Sequence, residues 1–89
     1  MNRLTKRENA EVVLAEGDLS RALLRLAAFE DVYEALMRDM AAIPEELRQL
    51  KTDGKEKTVR YRELFGQKLM NAHIADLFER YGITTLARQ

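Results

Sequence analysis

The sequence predicts an all-α protein, built as a helical hairpin of one long and one shorter helix. Three observations support this prediction: an apolar heptad repeat over residues 19–50, turn-forming residues at 51–55, and a second amphipathic segment over 58–82. We expect the long helix at about residues 18–52 and an antiparallel second helix at about 58–81. Together they predict a single helical domain over residues 1–89, with residues 1–8 and 84–89 loose.

The heptad repeat consists of two interleaved apolar series, each with a step of seven residues. This spacing places all ten side chains on one face of a helix, the pattern that drives helices to pack along each other. Leu23 and Met37 at e positions and Val32 at a g position widen this face, which favours a bundle. The two series are Leu19, Leu26, Tyr33, Met40 and Leu47, and Ala22, Phe29, Leu36, Ile43 and Leu50. We call the face formed by these residues and Leu23 the seam.

Two positions challenge the continuity of the helical pattern. The run from Asn9 to Glu16 is suited to a helix, and Gly17 with Asp18 either separates it from the long helix or is tolerated within one unbroken helix. Pro44 removes one backbone hydrogen bond, and residues 44–46 would suit the first turn of a new helix. Because the heptad phase passes through Pro44 unchanged, we expect a kinked but continuous helix there.

The ends of the second helix follow from capping chemistry. Gly54 suits a turn with a positive φ, and Thr58 is suited to cap the second helix. Gly82 is expected to stop that helix, with Ile83 folding back on Phe78. The second helix has two apolar faces that change over at Gly66, so it either bends there or is buried on both sides. The faces are Tyr61, Leu64 and Phe65, and Met70, Ile74, Leu77 and Tyr81.

The lengths of the two helices predict an uncovered end of the seam. At 1.5 Å per residue the seam spans about 48 Å and the second helix about 36 Å. The second helix would therefore reach back only to about residue 28, which leaves Leu19, Ala22, Leu23 and Leu26 uncovered. Residues 12–14 could fold over them in a three-helix monomer, or a second copy of the chain could cover them. The continuous heptad phase favours the second copy, as a dimer of hairpins.

Composition and charge narrow the function classes. With 89 residues and no cysteine, a stable core requires help other than a disulfide or a thiolate zinc site, and association is the common route. Residues 1–50 carry seven basic and ten acidic side chains, net −3, and residues 51–89 carry eight and five, net +3. Such halves should attract each other. No signal-like or membrane-spanning apolar run is present, so we expect a cytoplasmic protein without membrane contact.

No residue set specifies a reaction, a cofactor or a metal. His73 and Asp76 share a helix face, but one histidine and one acid are too few for a zinc site. The acids Glu63 and Asp76, or Glu30 and Asp31, are expected on solvated faces rather than as an acid–base pair. Ser20 has no histidine near it in sequence. We therefore expect a non-enzymatic protein that acts by binding.

Nucleic-acid binding is the alternative function. Basic residues cluster around the turn and the start of the second helix, with Tyr61 among them and several acids partly offsetting them. A helix-turn-helix with its turn at Gly66 would place Arg62 where a small residue is needed. The basic residues are Lys51, Lys55, Lys57, Arg60, Arg62 and Lys68.

Several segments together resemble small uncharacterised proteins of bacterial prophages and conjugative elements. The resemblance covers about residues 20–83 and is carried by 28–33, 43–47, 54–69 and 77–83. It implies a setting on mobile DNA in a bacterial cytoplasm, and a partner protein from the same element as an alternative to a second copy. It transfers no catalytic residues.

Overall fold

A computed structural model describes residues 3–15 and 18–84, which form two strands and two helices. The strands are β1, Thr5–Glu8, and β2, Glu11–Leu14; the helices are α1, Leu19–Thr52, and α2, Val59–Arg80. The chain divides into two compact units at the Glu34–Ala35 bond. The prediction of two helices is confirmed, whereas the all-α prediction is wrong for the N-terminal segment.

β1 and β2 form an antiparallel hairpin with a two-residue loop. Its register runs from Thr5 opposite Leu14 to Glu8 opposite Glu11, and the Ala15 N–H donates to the Leu4 carbonyl at 2.8 Å. Asn9 has φ 57°. A positive φ at the first loop residue is shared by the type I′ and II′ hairpin turns, whose twist matches that of the strands.

The hairpin replaces the helix that we predicted for Asn9–Glu16, and β1 occupies residues predicted to be loose. β-Branched Val12 and Val13 favour an extended chain, and Asn is one of the few residues that accept the left-handed conformation of the turn. Residues 16 and 17 lie outside the described residues, as do 1–2 and 85–89, so the predictions made for them, including the end of that helix at Glu16, have no structural counterpart.

α1 begins at an aspartate cap and continues through its proline. The Arg21 N–H donates to Asp18 Oδ1 at 3.0 Å, which satisfies one of the open donors of the first turn. Pro44 lies inside the helix, so the prediction of a continuous course is confirmed. Whether α1 is kinked at Pro44 stays a prediction.

Both helices end in the same motif. After α1, Gly54 has φ 72°, its N–H donates to the Lys51 carbonyl at 3.0 Å, and the Lys55 N–H donates to the Leu50 carbonyl at 2.8 Å. This pair of bonds defines a Schellman ending, with glycine at the left-handed position. The turn into α2 is therefore set by Gly54.

α2 has the caps that its sequence predicts. The Thr58 hydroxyl accepts from the Tyr61 N–H at 3.2 Å. At the other end Gly82 has φ 87°, and its N–H donates to the Glu79 carbonyl at 3.0 Å. The Ile83 N–H donates to the Phe78 carbonyl at 2.9 Å, which completes a second Schellman ending.

The core of the C-terminal unit lies where α1 and α2 pack against each other. Its buried residues are Ile43, Leu47 and Leu64, and Leu50 and Tyr61 are half-buried against them. At the edge of this core, Arg60 Nη2 on α2 donates to Glu46 Oε2 on α1 at 2.7 Å. Apolar packing and this ion pair thus join the helices.

Two glycines allow a matched test of the turn. Apart from the glycine's chain neighbours and the backbone of its own helix, no atom lies within 4 Å of a Cβ added at Gly54 or at Gly66, so backbone conformation decides each effect. Gly54→Ala forces an L-residue into a left-handed conformation and should lower the free energy of unfolding by about 1 kcal/mol. Gly66→Ala, inside α2, should raise it by about 0.5–1 kcal/mol. Urea unfolding measures both, and equal effects would contradict the assignment of the turn.

Candidate functional site

The seam changes from exposed to buried partway along α1. Tyr33, Leu36, Ile43 and Leu47 are all 6–7% exposed. Nearer the start of the helix four large apolar side chains each expose more than half of their surface: Leu19 (60%), Leu23 (55%), Leu26 (54%) and Phe29 (56%). We call these four residues the uncovered seam. The remaining members of the seam are Met40 (37%) and the half-buried Leu50 and Ala22.

The uncovered seam is a continuous apolar stripe. Its members recur at spacings of three and four residues, so they lie along one face over three turns of α1. Scattered exposed leucines are ordinary, but an aligned stripe with an aromatic side chain is the kind of surface that binds a protein partner. The predicted uncovered end of the seam is therefore present in the structure.

The N-terminal arm borders this stripe without covering it. Arg3, Leu4 and Thr5 form one wall of an open groove of about 400 Å³, and α1 forms the other wall. Arg3 Nη2 donates to Thr5 Oγ1 at 3.3 Å, which holds the arm's guanidinium beside the strand. The residues of α1 that line the groove are Ala22, Arg25, Leu26 and Phe29. Residues 12–14 belong to the β-hairpin, and Leu19, Leu23 and Leu26 stay more than half exposed. The alternative in which residues 12–14 fold over the seam in a three-helix monomer is therefore wrong.

α2 buries one face and exposes much of its remaining apolar surface. Leu64 and Asn71 are its buried residues. Of the second predicted face, Met70, Leu77 and Tyr81 are 60%, 42% and 79% exposed, and Ile74 is half-buried. The described chain therefore does not bury α2 on both sides, and these side chains form a second apolar surface.

The predicted basic cluster is exposed and partly neutralised. All six of its side chains are exposed around the turn and the start of α2. Arg60 pairs with Glu46 at 2.7 Å, and the Lys68 ammonium lies 5.9 Å from the centroid of the Phe65 ring. The Phe65 ring stacks on Tyr61 with centroids 6.4 Å apart. Lys51, Lys55, Lys57 and Arg62 complete the cluster.

The polar side chains considered for catalysis lie on exposed helix surfaces. Asp76 pairs with Arg80 at 3.2 Å, and His73 is exposed. Among residues 3–15 and 18–84, no three acidic or histidine side chains are placed to hold a metal ion. Neither of the described helices combines the length and apolar character needed to cross a membrane.

One exposed pair perturbs a carboxyl pKa. Arg48 hydrogen-bonds and electrostatically attracts Glu45 one turn earlier on α1, which lowers the pKa of that carboxyl and raises the pKa of the guanidinium. Both side chains are solvated, so this pair is a feature of the helix surface rather than of a reactive site.

Among the described residues, Asn71 is a polar side chain whose burial was not predicted from the sequence. It is 4% exposed, its Oδ1 accepts from Gln67 Nε2 at 2.8 Å, and its Nδ2 has no partner. A signal was available, because Leu64, Asn71 and Phe78 recur every seven residues and share a face. A half-satisfied amide in a helix interface costs stability and restricts how the helices pair.

Comparisons of this chain with protein-family models, with curated proteins and with solved structures found no match.

The unpaired amide of Asn71 predicts a stabilising substitution. Asn71→Leu removes a buried donor without a partner and should raise the free energy of unfolding by about 1–2 kcal/mol, measured by urea unfolding. Asn71→Asp is the matched control of nearly equal size; it places a charge at the same buried position and should lower that free energy. Destabilisation by leucine would show that the amide is satisfied in solution.

Proposed function

We propose that this chain is a non-enzymatic helical interaction module that self-associates, as a dimer, through the uncovered seam. The observation that supports the proposal is the exposure of Leu19, Leu23, Leu26 and Phe29 along one face of α1, in phase with a stretch that is buried. A second copy presents the same stripe, so a twofold interface buries both at once.

The amount of apolar surface favours a bundle over a contact between two α1 helices alone. Burying the exposed half of one such side chain yields on the order of 1 kcal/mol, so eight side chains in two copies yield on the order of 8 kcal/mol. Association itself costs about 4–15 kcal/mol. The exposed side chains of α2, among them Met70 and Leu77, supply further area, and a dimer of hairpins that buries both surfaces is a four-helix bundle.

The biological setting is part of the proposal. The resemblance to small proteins of prophages and conjugative elements suggests a cytoplasmic role beside mobile DNA. A second protein of the same element is then the competing partner for the same surface. Copurification from the native host, with identification of any bound protein, separates this partner from a second copy.

Self-association predicts a mass of about twice 10.3 kDa in light scattering at micromolar concentration. Leu26→Asp places a charge in the uncovered seam. It should give a folded monomer, because Leu26 is 54% exposed within its own chain and a charge there costs the folded chain little. Leu24→Asp is the matched control, since Leu24 is 73% exposed and lies off the seam; it should leave the mass unchanged.

Leu36→Asp tests the buried part of the seam in the same assay. Leu36 is 7% exposed, so a charge there should unfold the chain, seen as loss of helical circular dichroism. A wild-type mass of about 10 kDa at every concentration would refute self-association. Loss of the dimer on Leu24→Asp would place the interface elsewhere on α1.

Nucleic-acid binding is the second candidate function. It is supported by the exposure of all six basic side chains around one turn, with aromatic Tyr61 among them. Phosphate contacts by lysine and arginine would give affinity without base recognition. The pairing of Arg60 with Glu46 reduces the positive charge available there.

Salt dependence tests this second candidate. If the cluster grips phosphates, binding of a duplex measured by fluorescence anisotropy should weaken steeply between 50 and 200 mM salt. Lys55→Gln with Lys57→Gln should reduce both the affinity and that slope. Replacing Lys6, on β1, with Gln is the control. No binding at low salt would remove this candidate.

A further inference from the structure

β2 leaves the hydrogen-bonding groups along one of its edges without partners. The Ala15 N–H donates to the Leu4 carbonyl at 2.8 Å, and this bond fixes the ladder bonds of β2 at its odd-numbered residues. The N–H and C=O groups of Val12 and Leu14 therefore point outward from the hairpin. Among the described residues, none of these four groups has a hydrogen-bond partner.

The two edges of the hairpin differ in their side chains. β2 carries the uncharged residues Val12, Val13 and Leu14 in a row, and Val12 is 61% exposed. β1 carries Lys6 and Arg7, and charged side chains on an edge strand oppose pairing with another strand. The groove beside α1 is lined by the N-terminal arm and by no residue of β2. Of the two edges, that of β2 is therefore the one suited to receive a further strand.

A second copy of β2 complements this edge in an antiparallel arrangement. With Val13 on a twofold axis, Val12 lies opposite Leu14 of the partner subunit, and this pair exchanges both of its backbone hydrogen bonds. The axis repeats the pair, so all the open groups find partners. Val12 and Leu14 of both copies then share one face of the sheet, where they form an apolar cluster. Glu11 lies opposite Ala15 of the partner subunit, so this register places no carboxylate directly opposite another.

The edge of β1 does not complement itself in this way. The register that pairs the outward groups of Thr5 and Arg7 places Lys6 on the twofold axis, opposite Lys6 of the partner subunit. Like charges directly opposite each other destabilise a pair of strands, and the exposed ion pair of Lys6 with Glu8 at 3.2 Å offsets only part of this repulsion. Pairing of β2 with β1 of another copy would leave an open edge at each end and grow into chains.

We propose that β2 pairs antiparallel with β2 of a second copy, so that two hairpins join into one four-stranded sheet. This inference rests on the proposed self-association and gives that dimer a second contact, made by backbone groups. Each backbone hydrogen bond contributes modestly after exchange with water, so the sheet extends a dimer held by the uncovered seam and does not sustain one alone. The hairpin gains from the pairing, because two strands by themselves are marginally stable.

Proline at position 12 tests the pairing. Val12→Pro removes one outward N–H from each copy and leaves the ladder of the hairpin intact, because Val12 makes none of its bonds. It should raise the dimer Kd by about tenfold or more, measured by analytical ultracentrifugation. Arg7→Pro is the matched control, since Arg7 lies opposite Val12 on β1 and its N–H also points outward. The control should leave the Kd unchanged, and equal losses in the two variants would overturn the proposal.

Amide hydrogen exchange reads the same contact without a substitution. In the dimer the N–H groups of Val12 and Leu14 should be protected at high protein concentration and should exchange quickly on dilution. The N–H of Arg7, which stays on an open edge, should exchange quickly at every concentration. Rapid exchange at Val12 and Leu14 in a chain that is dimeric would contradict the pairing.

A disulfide locates the twofold axis, since the sequence contains no cysteine. Val13 faces Val13 of the partner subunit in a pair without hydrogen bonds, where the Cα atoms lie about 4.5 Å apart, within the range of a disulfide. Val13→Cys should therefore oxidise to a covalent dimer. Lys6→Cys is the matched control, because Lys6 lies opposite Val13 on β1. It should stay reduced, since three strand spacings, about 14 Å, separate the two copies of residue 6.

The outcomes separate the two levels of the argument. A wild-type chain that is monomeric at every concentration refutes self-association and, with it, this inference. A dimeric chain whose Val12→Pro variant binds as tightly as the wild type, or whose Val13→Cys variant does not cross-link, refutes the β2 pairing alone. Masses that grow beyond a dimer would indicate pairing of β2 with β1 and would also refute it.

Discussion

The structure depends on the mismatch between one apolar seam and the helix available to cover it. α1 has 34 residues and α2 has 22, or about 51 Å against about 33 Å. Between Phe29 and Tyr33, one turn of α1, exposure falls from 56% to 7%. A sequence that needed only a hairpin would not continue an apolar stripe beyond its cover, because exposed stripes promote aggregation. The exposure of the uncovered seam is the observation that supports the proposed self-association.

The small core of the C-terminal unit strengthens this interpretation. It contains three buried apolar residues in one cluster, and α2 also buries the amide of Asn71, whose Nδ2 has no partner. A chain of 89 residues buries a modest share of its surface and is marginally stable alone. When a folded state associates and the unfolded state does not, stability rises with concentration, so assembly and folding reinforce each other. Asn71 fits this scheme, since a polar residue in a helix interface trades stability for a defined arrangement.

Local chemistry explains which parts of the fold could be predicted. Asp18, Thr58, Gly54 and Gly82 mark helix ends through bonds within a few residues, so the sequence alone locates both helices. The β-hairpin was missed because Thr5–Glu8 lacks an apolar alternation, and because a turn at Asn9 is visible only once both strands are paired. The burial of Asn71 depends on which face of α2 meets α1, a tertiary property. The exposed end of the seam was predictable, because it follows from helix length.

The charge asymmetry of the chain bears on the choice between the two functions. Net −3 over residues 1–50 and net +3 over residues 51–89 predict attraction between the halves. The Glu46–Arg60 ion pair is such an attraction, near the turn that joins the two helices. A guanidinium held by a carboxylate is less available to a phosphate, since binding must first break the existing pair. The apolar stripe is bordered by Arg3, Leu4 and Thr5, yet its four side chains each stay more than half exposed. The exposed apolar stripe and the partial neutralisation of the basic cluster both support the proposal of self-association over the proposal of nucleic-acid binding.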